Sequence, residues 1–163
     1  MNKIFYLTFI VFIYFSNLLN ALEISCSFEE VYKNGESNNG FLLINGSNFR
    51  YEYFKDNLYG LILKNNDLFY FEKKNMSNAR KTNQNKMLIS SLLKIFESFP
   101  NINESYSIDG MNISVKKNVS KNFIHRISIQ SNKLNMSIFF YDCKNTLVDN
   151  LFFKTSPVIR YYY

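Results

Sequence analysis

The feature that most constrains the fold of this 163-residue chain is a series of short alternating segments, interrupted once by a helical one. Polar and apolar residues alternate along most of the chain after residue 21, which indicates half-buried β-strands. Asn34 with Gly35, and Asn45 with Gly46, are pairs typical of tight hairpin turns. Such connections predict an antiparallel sheet. Nine segments are predicted to be strands: residues 23–29, 41–44, 49–54, 59–64, 68–72, 111–116, 123–130, 134–141 and 151–154.

The helical interruption covers residues 86–98 (KMLISSLLKIFES). Apolar residues at positions 88, 92, 95 and 96 have the spacing of one helical face, and Pro100 follows where a helix should end. Further apolar residues widen this face, so we expect the helix to make contacts on more than one side. The predicted fold class is mainly β: a strongly curved antiparallel sheet forming an unclosed half-barrel, with a helix across its concave face. An immunoglobulin-like sandwich has as many strands but gives the apolar helix no place.

The N-terminal residues 1–21 have the three-part layout of a secretory signal peptide. Lys3 precedes an uncharged apolar run, residues 4–15, and a more polar stretch ends at Ala21. The run is shorter than the roughly 20 residues that span a bilayer as a helix, and an uncleaved anchor is the alternative. Cleavage after Ala21 would leave residues 22–163 as a single domain. We expect an exported, periplasmic and monomeric protein.

The two cysteines, Cys26 and Cys143, are predicted to form a disulfide because the chain is expected to be exported. Closing so long a loop would stabilise the fold by roughly 4–5 kcal/mol if the native geometry permits it. Two alternatives remain open. Cys26 could be a lipidated N-terminal cysteine, although Glu23 stands where that pattern prefers an aliphatic residue, or both cysteines could be independent buried thiols.

The sequence offers little for catalysis. It contains no glycine-rich phosphate loop, no H-E-x-x-H and no C-x-x-C. His125 is the one histidine, so any Ser–His–Asp or Cys–His site would have to use it, and we interpret it as an ordinary strand residue. His125 has no clustered partners for a metal. We therefore predict no enzyme, no metal and no cofactor.

The charge of the chain is basic, with 19 Lys and Arg against 13 Asp and Glu. The basic residues are spread along the chain rather than gathered in a patch, so we do not expect nucleic-acid binding. A diffuse basic surface favours solubility and a weak attraction to anionic lipid headgroups.

The aromatic content is high, with 17 Phe and 12 Tyr. Many of these residues share a strand face with aliphatic neighbours, and the simplest interpretation is a packed core. Together, however, they exceed what one helix can cover. A curved sheet lined with Phe and Tyr and covered by a mobile helix would form a pocket for apolar ligands.

Residues 40–94 resemble the LolA family, the periplasmic carriers of outer-membrane lipoproteins. Residues 40–44 (GFLLI), a turn and residues 49–53 (FRYEY) are similar to the family's G-x-hydrophobic strand and the strand with arginine between aromatic residues that follows it. Residues 61–71 resemble its next hairpin. The likeness continues outside this region, where residues 27–30 (SFEE) are similar to an early strand, and residues 149–153 with Pro157 to the closing one.

The resemblance implies an unclosed β-barrel with a helical lid around an apolar cavity for acyl chains, and a carrier without catalytic residues. The implied partners are an acylated lipoprotein or another lipid ligand, an inner-membrane donor complex and an outer-membrane acceptor. Because side chains alternate along a strand, an error of one residue would exchange the inward and outward sets. The residues predicted to contact the acyl chain are Phe41, Leu43, Phe49, Tyr51, Tyr53, Leu61 and Leu63 on strands, and Leu88, Leu92, Ile95 and Phe96 on the helix.

The alternative function is an exported non-catalytic β-domain with a fully packed core, acting as a structural or protein-interaction module. A carrier should bind a hydrophobic reporter dye while folded, whereas a packed module should not.

Overall fold

The computed structural model describes residues 22–55, 59–72, 79–118, 120 and 123–155. The predicted signal peptide with its cleavage after Ala21, and Pro157 of the LolA resemblance, lie outside these residues. The described part forms ten strands and one α-helix: β1 (Glu23–Tyr32), β2 (Ser37–Asn45), β3 (Asn48–Tyr53), β4 (Tyr59–Lys64), β5 (Asp67–Glu72), β6 (Arg80–Thr82), α1 (Lys86–Glu97), β7 (Ser105–Ile108), β8 (Met111–Asn118), β9 (Phe123–Gln130) and β10 (Asn135–Asn145).

The ten strands form one antiparallel sheet in the order β6-β5-β4-β3-β2-β1-β10-β9-β8-β7. β1 to β6 make one meander and β7 to β10 a second, and the pairing of β1 with β10 joins the two. The sheet is not closed. Its edges are β6 and β7, and α1 lies between these two strands in the chain. The predicted antiparallel, unclosed half-barrel with a helix is therefore confirmed.

The inner face of the sheet, defined here as the face that packs against α1, carries the main hydrophobic core. The apolar face of α1 contributes Ile89, Leu92, Leu93, Ile95 and Phe96, all of them buried. Strands from both meanders meet these residues in one continuous cluster. The helical periodicity in the sequence therefore identified the side of α1 that faces the sheet.

The outer face carries a second, smaller cluster around Ile62 and Phe71. Residues 146–155 cover it, inserting Val148 and Phe153. Arg50 holds this segment in place, because its Nη1 donates a hydrogen bond of 2.9 Å to the carbonyl oxygen of Phe152. The last described residues of the chain therefore pack onto the outer face of the sheet.

The ion pair of Arg50 with Glu52 is buried on this outer face, although a sequence of alternating charges suggests a solvated one. The guanidinium lies 5.5 Å from the ring centre of Phe41 and 5.7 Å from that of Phe71, a cation–π arrangement. Both charged side chains are thus compensated by each other and by aromatic neighbours.

The prediction of a strand at residues 151–154 is wrong. Residues Asn150–Phe153 form a 3-10 helix. The side chain of Asp149 accepts a hydrogen bond of 2.8 Å from the backbone N–H of Leu151 and so caps this turn. The burial of Phe153 in the outer cluster then replaces the sheet pairing that alternation suggested.

The two edge strands, β6 and β7, were not predicted. They contain only three and four residues, and the sequences RKT and SYSI have no clear apolar stripe. Short, polar edges are what an unclosed sheet needs to avoid pairing with other chains. Their short length and the lack of an apolar stripe prevented the prediction of these strands, and both properties are consistent with a position at the edges of the sheet.

Cys26 and Cys143 form the predicted disulfide, which joins β1 to β10. The pairing register shifts between Ser25 and Ser27, where two residues of β10 face one of β1, and Asp142 has a φ of 51°. This bulge brings Cys143 to the inner face beside Cys26. The bond is incompatible with both alternatives, a lipidated Cys26 and two free thiols.

Candidate functional site

Nine of the eleven residues predicted to contact an acyl chain lie on the inner face or on the side of α1 that packs against it. Eight of them are buried and Leu88 is partly so. The structure thus brings these residues together in one cluster: Phe49, Tyr51, Tyr53, Leu61, Leu63, Leu88, Leu92, Ile95 and Phe96.

The predicted positions of Phe41 and Leu43 are wrong, because both residues belong to the outer cluster. In β2 it is Leu42 and Ile44 that face inward. Residues 41–44 are apolar on both faces of the sheet, so alternation in the sequence could not reveal which pair was inward.

A buried carboxylate lies on the inner face among apolar side chains. Glu30 is 2% exposed and accepts hydrogen bonds from three tyrosine hydroxyls. Its Oε1 accepts from Tyr51 at 2.7 Å, and its Oε2 from Tyr32 at 2.6 Å and Tyr53 at 2.9 Å. Within the described residues it forms no ion pair, so these hydroxyls are what compensates its charge. We call these four residues the tyrosine cluster.

The tyrosines of this cluster keep their protons. Burial, and then the negative charge of Glu30, raises the pKa of Tyr51 and of Tyr53 well above the ordinary value. Burial, followed by the hydrogen bond to Glu30, raises the pKa of Tyr32 as well. The hydroxyls are therefore hydrogen-bond donors at any physiological pH, and the cluster supplies no general base from its phenols.

The rings of these tyrosines continue as a row across the inner face. Phe28 stacks on Tyr51 with ring centres 3.9 Å apart. Tyr53 contacts Tyr59, and Tyr59 contacts Tyr70, each pair with centres 5.4 Å apart. This half of the inner face is a wall of interlocked aromatic rings, whereas β8 and β9 contribute mainly isoleucines.

A cleft of about 530 Å³ opens where the start of α1 meets two hairpin turns, residues 109–110 and residues 131–134. Leu88, Met111 and Leu134 form its apolar floor, and each of them packs against the inner-face core. Met87 also lines the cleft and is 56% exposed. Solvent thus reaches an apolar surface that is continuous with the core under α1.

Polar side chains surround this floor. Lys86 and Lys133 line the cleft, as does the carboxylate of Asp109. None of the three forms an ion pair within the described residues. The remaining polar residues of the lining are Asn83, Asn85, Ser131 and Asn132.

Local backbone conformation and hydrogen bonds define the shape of both turns. Asp109 and Gly110 both have positive φ values, 49° and 72°, as a two-residue hairpin turn requires. In the other turn, the Oγ of Ser131 accepts hydrogen bonds from the backbone N–H groups of Lys133, at 3.2 Å, and Leu134, at 3.0 Å. Ser131 therefore holds the backbone of Lys133 and Leu134, two neighbouring residues that both line the cleft.

Sequence reasoning missed most of the cleft. Of the eleven predicted contact residues only Leu88 lines it. Met111 begins β8 directly after a turn, and Leu134 ends the turn that precedes β10; this position next to a turn was the one signal available in the sequence. Their approach to α1 depends on how the turns pack against the helix, which alternation along a strand does not encode.

The other features considered as sites are His125, a metal centre and a membrane-spanning helix. His125 is exposed on β9, with its ring centre 6.1 Å from that of Phe139. The described residues contain no group of three or more His, Cys, Asp or Glu side chains suited to a metal ion. In the same part of the chain, no helix has the length and apolar character to span a membrane.

The fold resembles solved structures of low sequence identity. An uncharacterized conserved protein from Thermus thermophilus superimposes with a TM-score of 0.51 at 8% identity, covering 85% of this chain and 88% of that one. A LolA superfamily protein from Nitrosomonas europaea gives a TM-score of 0.43 at 11% identity, covering 81% and 89%. At such identities the Thermus likeness concerns the fold alone. No protein-family profile matches the sequence, and no curated protein does.

Proposed function

We propose that this protein is an exported, non-catalytic carrier that binds the acyl chain of a lipid or lipoprotein at the cleft beside α1. The observation that supports this most directly is the apolar floor of Leu88, Met111 and Leu134, open to solvent yet continuous with the core. The volume of about 530 Å³ lies within the range of roughly 300–1,000 Å³ common for ligand pockets.

The energetics of such binding come from removing hydrocarbon from water. At about 0.8 kcal/mol per CH₂, an acyl chain that buries roughly ten methylenes gains on the order of 8 kcal/mol before the costs of association. Met87 and Met111 suit this role because unbranched, polarizable side chains adapt to a ligand of variable shape.

Deeper binding requires a movement of α1, since Leu92, Ile95 and Phe96 are each 2% exposed. The helix connects the two edges of an unclosed sheet and can be displaced without breaking any strand pairing. In this proposal the chain end enters at the cleft, and the helix moves to admit the rest beneath it.

The cellular role follows from the same proposal. A disulfide is consistent with an oxidising, extracytoplasmic compartment. Together with the resemblance of residues 40–94 to the LolA family, this supports a periplasmic carrier that takes acylated cargo from an inner-membrane donor and delivers it towards the outer membrane.

The test is a titration of the full chain with a fluorescent fatty acid, comparing Met87→Glu with the wild type. Met87 is exposed, so the substitution should leave thermal unfolding unchanged. A carboxylate beside the apolar floor should weaken binding about tenfold or more. The matched control is Leu147→Glu, which changes an apolar residue that is 92% exposed and does not line the cleft.

Equal affinities for the wild type and Met87→Glu would contradict binding at the cleft. Absence of any binding by the folded chain would favour the second candidate, a protein-interaction module. Leu147 and Leu151 favour that function, because they expose apolar surface on the segment that covers the outer face. In that case Leu147→Glu would impair partner binding instead.

A further inference from the structure

The rim of the cleft carries an excess of positive charge beside its apolar floor. Resting on the proposed function, we infer that the ligand is an anionic amphiphile, whose carboxylate or phosphate head is held by Lys86 and Lys133. The acyl chain would lie on the floor while the head stays at the solvent side.

The position of the two lysines supports this assignment. Lys86 begins α1, and Lys133 lies in the turn between β9 and β10, so they approach the cleft from different elements. Neither is neutralised by an ion pair within the described residues. Asp109, on the third side, opposes an anion, but the three side chains together still carry a formal charge of +1.

The local arrangement also matches an amphiphile. Lys86 is half-buried next to Met87 and Leu88, and a lysine offers both an apolar stem and a charged end. Ser131 fixes the turn in which Lys133 directly precedes Leu134 of the floor. On α1 and on the turn before β10, a lysine is thus the direct neighbour of an apolar residue that lines the cleft.

The experiment compares 12-carbon ligands that differ in their heads, each below its critical micelle concentration. Dodecanoate, dodecyl phosphate, 1-dodecanol and dodecyltrimethylammonium compete with the fluorescent fatty acid on the full chain. Because solvent-exposed ion pairs are weak, we expect the two anions to bind only about three- to tenfold more tightly than dodecanol. The cation should bind more weakly than dodecanol.

The variants locate the effect. Lys86→Gln combined with Lys133→Gln should remove the preference for the anions and leave the affinity for dodecanol unchanged. The control, Lys94→Gln with Lys144→Gln, alters the net charge equally at exposed lysines that do not line the cleft, and should keep the preference. Asp109→Asn should increase the preference for the two anions over dodecanol. Inorganic phosphate alone should not displace the fluorescent ligand.

Each remaining outcome overturns the inference in a distinguishable way. Equal binding of all four ligands would refute head-group recognition while leaving acyl-chain binding intact. Loss of preference in the Lys94 and Lys144 control would assign it to overall charge. Displacement by phosphate alone would indicate a simple anion site. No binding of any ligand would overturn the proposed function together with the inference.

Discussion

Gly60 illustrates how a single residue determines packing in this sheet. It lies on β4, and a Cβ atom at this position would come within 2.1 Å of the Cζ of Phe71, which is fully buried in the outer cluster. We predict that Gly60→Ala displaces this ring and lowers the free energy of unfolding by about 1–3 kcal/mol, the usual cost of overpacking. Urea denaturation measures the change.

The control for this prediction is a double-mutant cycle with Phe71→Leu, a smaller side chain. If the contact explains the cost, Gly60→Ala should be less destabilising when Phe71 has been replaced. Strictly additive effects of the two substitutions would show that the contact between them is not the cause.

Individual positions were also where sequence reasoning reached its limit. The alternation of Phe49, Tyr51 and Tyr53 correctly predicted one shared face, because charged residues separate them in β3. In β2 no polar residue separates Phe41 from Leu43, and both were assigned to the wrong face. The hydrogen bonds to Glu30 from Tyr51 and Tyr53 were not predicted, since they connect β1 with β3 across the intervening strand.

Among the secondary-structure elements, β1 and β10 have the largest structural role, because their pairing joins the two meanders. We predict that replacing Cys26 and Cys143 with alanine lowers the free energy of unfolding by about 2–5 kcal/mol. Chemical denaturation with and without dithiothreitol measures this loss. The reductant should destabilise the wild type and leave the double variant unaffected, and a wild type insensitive to it would contradict the prediction.

The elements differ in how far the sequence determined them. The predicted helix at residues 86–98 agrees with α1 to within one residue, because the 3.6-residue period and Pro100 act locally. β6 and β7 form through pairing with longer neighbours and carry no pattern of their own. The 3-10 helix at the end depends on a cap by Asp149 and a distant apolar cluster.

The stability of the whole molecule should depend on pH through the tyrosine cluster. The pKa values of Tyr51 and Tyr53 are raised by burial and by Glu30, so the folded state keeps these phenols protonated. Above about pH 10 the unfolded chain loses those protons and the folded chain does not, which favours unfolding. We predict a loss of up to about 1.4 kcal/mol per pH unit for each of these tyrosines.

Urea denaturation at pH 9 and pH 11 measures this dependence, and Tyr53→Phe is the comparison. The variant lacks one of the shifted groups and should lose less stability between the two pH values than the wild type. Parallel losses would mean that Tyr53 ionises equally in the folded and unfolded chain.

The half-barrel as a whole was predictable because alternation, hairpin turns and one amphipathic helix all indicate the same architecture. The cleft was not, since it arises where α1 and two turns from distant parts of the chain meet. Its significance rests on the claim that acyl chains bind there.

Photo-crosslinking tests that claim most directly. The full chain would be irradiated with a fatty acid carrying a diazirine near its chain end, with and without excess dodecanoate, and the labelled peptides identified by mass spectrometry. We predict competable labelling of the peptides that contain Met87 and Leu88, Met111 and Leu134. Labelling confined to the outer segment around Leu147, or spread without preference and unaffected by dodecanoate, would contradict the account.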